Sequence, residues 1–345
     1  MSEFNPAVLL DPPPFPAGRV AGLADRLALL MGTSADVLLV QAEAVVALEA
    51  VAASLGRPGF KAINIVTGPY GLWFGRWLRR TGAGVVEVRA EAARPVSARA
   101  VAATLDAHPD ANLLAVVHAE SASGIRNPIE AILRLARERD ILTMVDAVAS
   151  LGGHAFAADA RGADIVVAGP QKALAGPAGI SWVSVSKRAW AEIDRPDAPA
   201  TSTLSLCDLK RLWLDAGRGA LPGTPAPLEL WALAAALDRV EAEGIARVVH
   251  RHAEAAIAAR DGLKALGLSP WAGPEEASHL VTAFAPPAGV DPASLLDRLK
   301  AADPEFSLGI GAGADRLIRL NHTGRRADLQ VVHGMIAALA AALRP

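Results

Sequence analysis

The sequence predicts an α/β protein, a large domain with a mostly parallel sheet between helices, followed by a small α+β domain. Three observations carry this reading. Short, continuous apolar runs alternate with amphipathic segments through the middle of the chain, as strands buried on both faces require. The 345 residues exceed one small domain and suit a large one plus a smaller one. After Pro227 the pattern changes to long alanine-rich helices and sparser strands.

Taken in order, Ala62–Val66 reads as a strand, and a helical stretch through Trp73, Trp77 and Leu78 follows it. Gly84–Val88 is the next strand and Ser97–Ala107 the next helix. Leu113–Val117, Pro128–Arg139 and Leu142–Val145 repeat strand, helix, strand, and Ile165–Ala168 and Ile180–Val185 extend the series. Helices over Leu228–Glu243 and Ala246–Leu266 then lead to strands near His279–Phe284, Phe306–Gly309 and Leu317–Leu320, and to a last helix, Leu329–Leu343. The expected division is an extended segment over 1–16, a large domain over 17–243 and a small domain over 244–345. Ligands of such sheets bind beyond the carboxyl ends of the strands, so chemistry is expected in the loops that follow them.

Composition excludes several function classes. A net charge of −2 offers no footprint for nucleic acid or an anionic membrane. No apolar run reaches the ~18 residues of a membrane span, and Met1 to Gly18 has no basic segment of a secretory signal. A soluble, cytoplasmic protein is expected. Cys207 is the only cysteine, so neither a disulfide framework nor a cysteine zinc cluster can form. It reads as a thiol in a polar loop without a histidine partner. His250 and His252 fall on different faces of what reads as a surface helix. Gly309-Ile-Gly-Ala-Gly313 lacks the last glycine of a dinucleotide fingerprint and precedes a strand, so it reads as a turn.

Only six of the 34 basic residues are lysines, and one of them, Lys172, lies in an apolar, glycine-rich loop between two buried strands. A lysine there either snorkels out to water or finds a partner. Desolvation lowers an amine pKa, and a neutral amine attacks an aldehyde to form a Schiff base. Alone, the loop reads more readily as one carrying a solvent-facing lysine. Asp146, at the carboxyl end of an upstream buried strand, changes the balance: a carboxylate there can keep a pyridinium nitrogen protonated, so that the ring serves as an electron sink. It can also cap the next segment or bind magnesium. Val148 points to the same side and can pack beneath a ring.

Val145-Asp-Ala-Val-Ala-Ser-Leu-Gly-Gly153 and Gly169-Pro-Gln-Lys-Ala-Leu-Ala-Gly-Pro-Ala-Gly179, in this order and spacing, resemble the class V aminotransferases of fold type I, the alanine–glyoxylate and serine–pyruvate group. The resemblance runs from about Leu10 to about Gly324. It implies a pyridoxal 5'-phosphate enzyme in which Lys172 is the Schiff-base lysine, Asp146 holds the ring nitrogen and Gln171 sits near the phosphate or its equivalent. In His118-Ala-Glu-Ser-Ala-Ser-Gly124 it makes Ser121 the donor near the ring hydroxyl. In Thr67-Gly-Pro-Tyr-Gly-Leu-Trp-Phe74 either Tyr70 or Trp73 stacks on the ring. Leu317-Ile-Arg-Leu-Asn-His-Thr-Gly324 makes Arg319 the substrate-carboxylate ligand, a role suited to a planar guanidinium. Thr224, in Pro222-Gly-Thr-Pro225, resembles a residue lent to the neighbouring subunit's phosphate cup, which implies a homodimer. The implied reaction moves an amino group from an alanine- or serine-like donor to a small 2-oxo acid such as pyruvate or glyoxylate.

The sequence departs from the group in two places. The stretch from Leu10 to Val40 is shorter than its counterpart, which alters the entrance of the site. The phosphate-binding turn, usually rich in serine and glycine, reads Val40-Gln-Ala-Glu-Ala-Val-Val-Ala-Leu-Glu49, with Glu43 where a phosphate would approach. A carboxylate repels a phosphate there by about 1 kcal/mol in water at ~4 Å, and by several-fold more when shielded. This turn, Asn127-Pro-Ile-Glu-Ala-Ile132 and Ser205-Leu-Cys-Asp208 are similar to pyridoxamine–pyruvate aminotransferases, which take unphosphorylated pyridoxal or pyridoxamine as a substrate. Ile310 departs from that group, which carries an arginine there. Two other readings remain: a lyase or desulfurase of the same fold relying on Cys207, and a non-catalytic pyridoxal-phosphate-binding regulatory protein.

Overall fold

In the computed structural model, residues 6–302, 305–311 and 314–344 are described. Part of the expected N-terminal segment (residues 1–5) and the end of the Gly309–Gly313 turn (Ala312 and Gly313) lie outside them. The strands are β1 (Asp36–Val40), β2 (Lys61–Val66), β3 (Gly84–Arg89), β4 (Leu113–Val117), β5 (Ala119–Glu120), β6 (Ile125–Arg126), β7 (Leu142–Asp146), β8 (Ile165–Ala168), β9 (Ser181–Val185), β10 (Val281–Phe284), β11 (Phe306–Leu308) and β12 (Ile318–Asn321). The helices are α1 (Val20–Met31), α2 (Ala44–Leu55), α3 (Pro69–Arg80), α4 (Ala98–Ala107), α5 (Ile129–Arg137), α6 (Ala158–Arg161), α7 (Lys187–Ile193), α8 (Leu206–Leu209), α9 (Pro227–Glu243), α10 (Ile245–Ala265), α11 (Pro292–Ala302) and α12 (Leu329–Ala342).

Seven strands form one sheet in the order β1-β9-β8-β7-β4-β2-β3. From β8 to β3 all neighbours are parallel, with β7 buried along its whole length. That is why these strands read as unbroken apolar runs rather than alternating ones. The Ile180–Val185 run forms β9, which is antiparallel to β8, and β1 is antiparallel to β9. Two reversals leave β1 pointing the same way as β8. The carboxyl ends of β1, β2, β4, β7 and β8 therefore open onto one edge of the sheet.

Helix starts are set locally. Ser97 caps α4 through a bond from Ala100 N, and Pro69 opens α3, where a missing N–H does no harm. Helix α5 buries Ile129, Ile132, Leu133 and Ala136, the spacing of a single apolar stripe. The large core runs from Phe15 to Val248, on both sides of the sheet.

A second core, from Ala255 to Leu339, lies between helices and the three-stranded antiparallel sheet β10-β12-β11. The segment leading into β10 is bolted to two loops of the larger sheet. Ser278 N donates to Gly124 O at 2.8 Å, and His279 N donates to His154 Nε2 at 3.1 Å. Leu280 fills the space left at Gly153, where an added Cβ would lie 1.7 Å from Leu280 Cδ1.

Two expectations are corrected. His252 is not on a surface: α10 buries it fully, its Nδ1 lies 2.6 Å from Val248 O and its Nε2 accepts from Gly324 N at 3.0 Å. The imidazole answers a backbone donor of the segment after β12, so a polar ring sits inside the core. Cys207 is not in a polar loop but buried on α8, where its Sγ donates to Ile193 O at 3.0 Å. Apolar neighbours on α8 carry it inward.

Candidate active site

At the carboxyl edge of the large sheet lies a cavity lined by Glu43, Tyr70, Ser121, Asp146, Val148, Gln171 and Lys172, among others. They come from the ends of five strands, β1, β2, β5, β7 and β8, or from the segments just after them, as the crevice rule predicts. Trp73 does not line it. Its ring meets that of Tyr70 edge-on at 5.2 Å, one helical turn behind. Of the two aromatic candidates, Tyr70 faces the cavity.

Asp146 is buried at the end of β7, and its Oδ1 accepts from Val148 N at 2.9 Å. It thus caps the next turn, one of its alternative readings, and also faces the cavity. Burial pushes its carboxyl up to about 6, with the Glu43 charge adding to the effect and the Lys172 charge opposing it. Burial, and then the charge of Arg319, lower the pKa of the Lys172 amine. More of that amine is therefore neutral and nucleophilic at a given pH.

Arg319, on the central strand of the small sheet, does not line the cavity but borders it. Its Nη1 donates to Ser121 O at 2.8 Å, and its buried Nε has no partner among the described residues. The Tyr70 phenol faces the Ser121 side chain. Thr224 is exposed and lies outside this cavity, beside Gln41, whose Nε2 donates to Thr224 O at 3.3 Å.

The far end of the cavity is closed by two side chains. Glu43 caps α2, with Oε2 accepting from Val45 N at 2.9 Å, and Oε1 accepts from Gln171 Nε2 at 3.0 Å. A helix N-terminus is a ready anion site; here the anion is the chain's own carboxylate. Gln171 Oε1 is a buried acceptor with no partner among the described residues, in the space that Gly169 leaves open.

The donor set fits a pyridoxal ring: a depressed lysine amine, a buried carboxyl and an aromatic share one cavity. A phosphate on that ring fits poorly, because Glu43 already fills the end where it would bind. Sequence reasoning missed Glu120, fully buried between Ala119 and Ser121. A charged residue on so short a strand ordinarily reads as solvated, and its one signal is its place three residues after the buried strand β4.

A family model described as aminotransferase class-V matches residues 25–304. The chain belongs to the class V aminotransferases. It is a transaminase that works through a pyridoxal compound, with amino and keto acids as its small-molecule substrates. The pyridoxamine–pyruvate transaminase of Mesorhizobium japonicum is 36% identical over 324 residues, covering 93% of this chain and 82% of that one. The alanine–glyoxylate aminotransferase of Drosophila melanogaster is 29% identical over 302 residues, 86% of this chain and 76% of that one. Among solved structures, the pyridoxamine–pyruvate aminotransferase of Mesorhizobium loti superposes with a TM-score of 0.88 at 35% identity, covering 93% of this chain and 82% of that one. The alanine–glyoxylate aminotransferase of Nostoc sp. superposes at 0.90 and 27% identity, covering 99% of this aminotransferase and 92% of that one. No helix among the described residues is long and apolar enough to cross a membrane.

Proposed function

We propose that this aminotransferase takes an unphosphorylated pyridoxamine-type compound as amino donor and passes the amino group to a small 2-oxo acid such as pyruvate. The observation that carries this reading is Glu43. Its carboxylate occupies the N-terminus of α2 and bonds to Gln171, so a phosphate would have to displace a like charge from the anion site. The similarity to a pyridoxamine–pyruvate transaminase supports it.

A bound pyridine ring supplies an electron sink for the pair left when a C–H bond is broken. This chain's residues supply the rest. Asp146, in its ionised form, holds a proton on the ring nitrogen. Tyr70 and Val148 flank the ring, and Ser121 reaches its hydroxyl. The orphaned Gln171 Oε1 accepts from the hydroxymethyl arm at the end closed by Glu43. The Lys172 amine, kept partly neutral by burial and Arg319, is free to act as a base while the ring compound carries the amino group, and takes the place of the departing amino acid's amine afterwards. As that base it moves a proton between the ring-side carbon and the α-carbon of the acid. Arg319, with its free Nε, turns two donors to the acid's carboxylate.

The working unit in this reading is a homodimer. Thr224 lies on an exposed loop outside its own subunit's cavity and would come to the Glu43 end of its partner's. A second reading, an ordinary phosphate coenzyme with an alanine- or serine-like donor and glyoxylate as acceptor, is favoured by one observation. Ile310, more than a third exposed, puts an apolar side chain where the pyridoxamine–pyruvate group has an arginine.

Purified enzyme mixed with pyridoxamine and pyruvate should form pyridoxal and alanine, followed by pyridoxal absorbance, and borohydride should then fix the label to Lys172. Turnover only of alanine or serine with added pyridoxal phosphate would replace this reading by the second. A label on any other lysine would refute the site.

A further inference from the structure

Glu120 is fully buried, does not line the cavity, and has no part in the steps above. It ends β5, pairing with Ile125 of β6. Its Oε1 accepts from Ala122 N at 3.1 Å, while Oε2 is buried with no partner among the described residues. The side chain lies across the start of α3. A Cβ built on Gly68, the residue before that helix, would sit 2.2 Å from Glu120 Oε2 and 2.5 Å from its Cγ. The Tyr70 amide, on the first turn of α3, faces the same carboxyl.

We propose that Glu120 is a positioning residue for the transamination site: pressed into the space Gly68 leaves open, it sets Tyr70 on one side and the Ser121 loop that holds Arg319 on the other. A hydrocarbon of the same length would fill the space but leave the Ala122 amide unanswered. A carboxyl or carboxamide can give the Ala122 amide its acceptor, and so orders the loop whose carbonyl receives Arg319 Nη1 at 2.8 Å, while its bulk sets the ring-facing phenol. The inference rests on reading this cavity as the transamination site.

The group works in its neutral form. Burial pushes its carboxyl up to about 8, against the Ala122 and Tyr70 amides, and the neighbouring Asp146 charge raises it further. The charged and titratable groups facing it are Tyr70 on α3, Asp146 at the end of β7, Arg319 on β12 and, across the cavity, Lys172. Above about pH 8 a carboxylate appears under Tyr70 and beside Asp146, draws on Arg319 and disturbs the alignment.

The test compares pH profiles of kcat/KM from pH 6 to 9.5 for the dimeric holoenzyme and its Glu120→Gln and Glu120→Ala variants, with pyridoxamine and pyruvate. Glu120→Ala should lose on the order of 10- to 100-fold in kcat/KM, the scale of a small misplacement of reacting groups, with the KM for pyruvate rising. Glu120→Gln, a neutral group of the same shape, should restore most of that loss at pH 7 and hold its activity above pH 8, where the wild type declines. A Glu120→Gln profile that declines with the wild type, a Glu120→Gln variant as impaired as Glu120→Ala at pH 7, or a Glu120→Ala variant with wild-type kcat/KM would each overturn the proposal. Lys172→Ala separates the two readings. If it still transaminates, the site itself is misassigned, whatever the Glu120 variants do.

Discussion

Replacing Glu43 by serine should convert the ring preference of this enzyme. Glu43 caps α2 by accepting from Val45 N at 2.9 Å, and it holds Gln171 Nε2 at 3.0 Å. Serine is as good a cap as any short oxygen-bearing side chain, so the helix should lose little stability. What disappears is one negative charge at the spot a phosphate would take. Two unit charges ~4 Å apart repel by about 1 kcal/mol in water and about 4 kcal/mol at an effective dielectric of about 20. Glu43 is half-buried, so the repulsion should fall between these limits, at roughly 1.5 to 3 kcal/mol. The variant should therefore shift affinity toward pyridoxal phosphate, relative to pyridoxal, by roughly 10- to 100-fold. Glu43→Gln, which removes the charge but keeps the bulk, should shift it less. The assay is an absorbance titration of each protein with both compounds, scored as the ratio of the two Kd values. A ratio unchanged in Glu43→Ser, or a wild type that already prefers the phosphate strongly, refutes the electrostatic reasoning.

Arg319→Lys keeps the charge but loses the planar fork, so the KM for the 2-oxo acid should rise by roughly 10- to 100-fold with kcat much less affected; an unchanged KM in steady-state assays would remove Arg319 from the carboxylate site. Acid should destabilise the fold through its buried histidines. Burial holds His322 down to about 3, so below an unfolded-state value of about 6.5 the unfolded chain takes a proton that the fold refuses, a loss of about 2 kcal/mol by pH 5. His322→Gln abolishes that loss, so its stability deficit against the wild type in urea should shrink by about 2 kcal/mol between pH 7 and pH 5; a deficit equal at both pH values would show that His322 is not held neutral.

The strands of the large sheet were legible because strands buried on both faces read as plain apolar runs, Ile165–Ala168 being one. Such a run carries no direction, and so the antiparallel course of β9 could not be read from Ile180–Val185. Strand β1 and helix α1 went unread for a different reason. Asp36–Val40 is only five residues long and buried without alternation, and the Gly32-Thr33-Ser34 stop is the one mark that sets it off from α1. In the cavity, the placement of Asp146 and Lys172 at strand ends follows from topology. Burial of a charge does not. Glu120 stands between small residues at the end of the two-residue strand β5, and only the missing side chain of Gly68, distant in sequence, makes room for it. His252 deceived for the same reason: its acceptor role depends on Gly324 N, seventy-two residues away.

The bolted segment before β10 has a consequence for which acids can react. Ser278 and Leu280 lock that segment to the loops after β4 and β7, and β10 pairs directly with β12, setting Ala283 opposite Arg319. Five residues beyond Arg319, Gly324 packs against the carbonyl of Lys172, where an added Cβ would come within 2.9 Å. The guanidinium and the amine thus belong to one frame and act as the two marks of a ruler. On the proposed roles, an acid whose carboxylate and reacting carbon match that span meets both marks at once. A longer acid can satisfy one only by missing the other, so discrimination by length needs no moving lid.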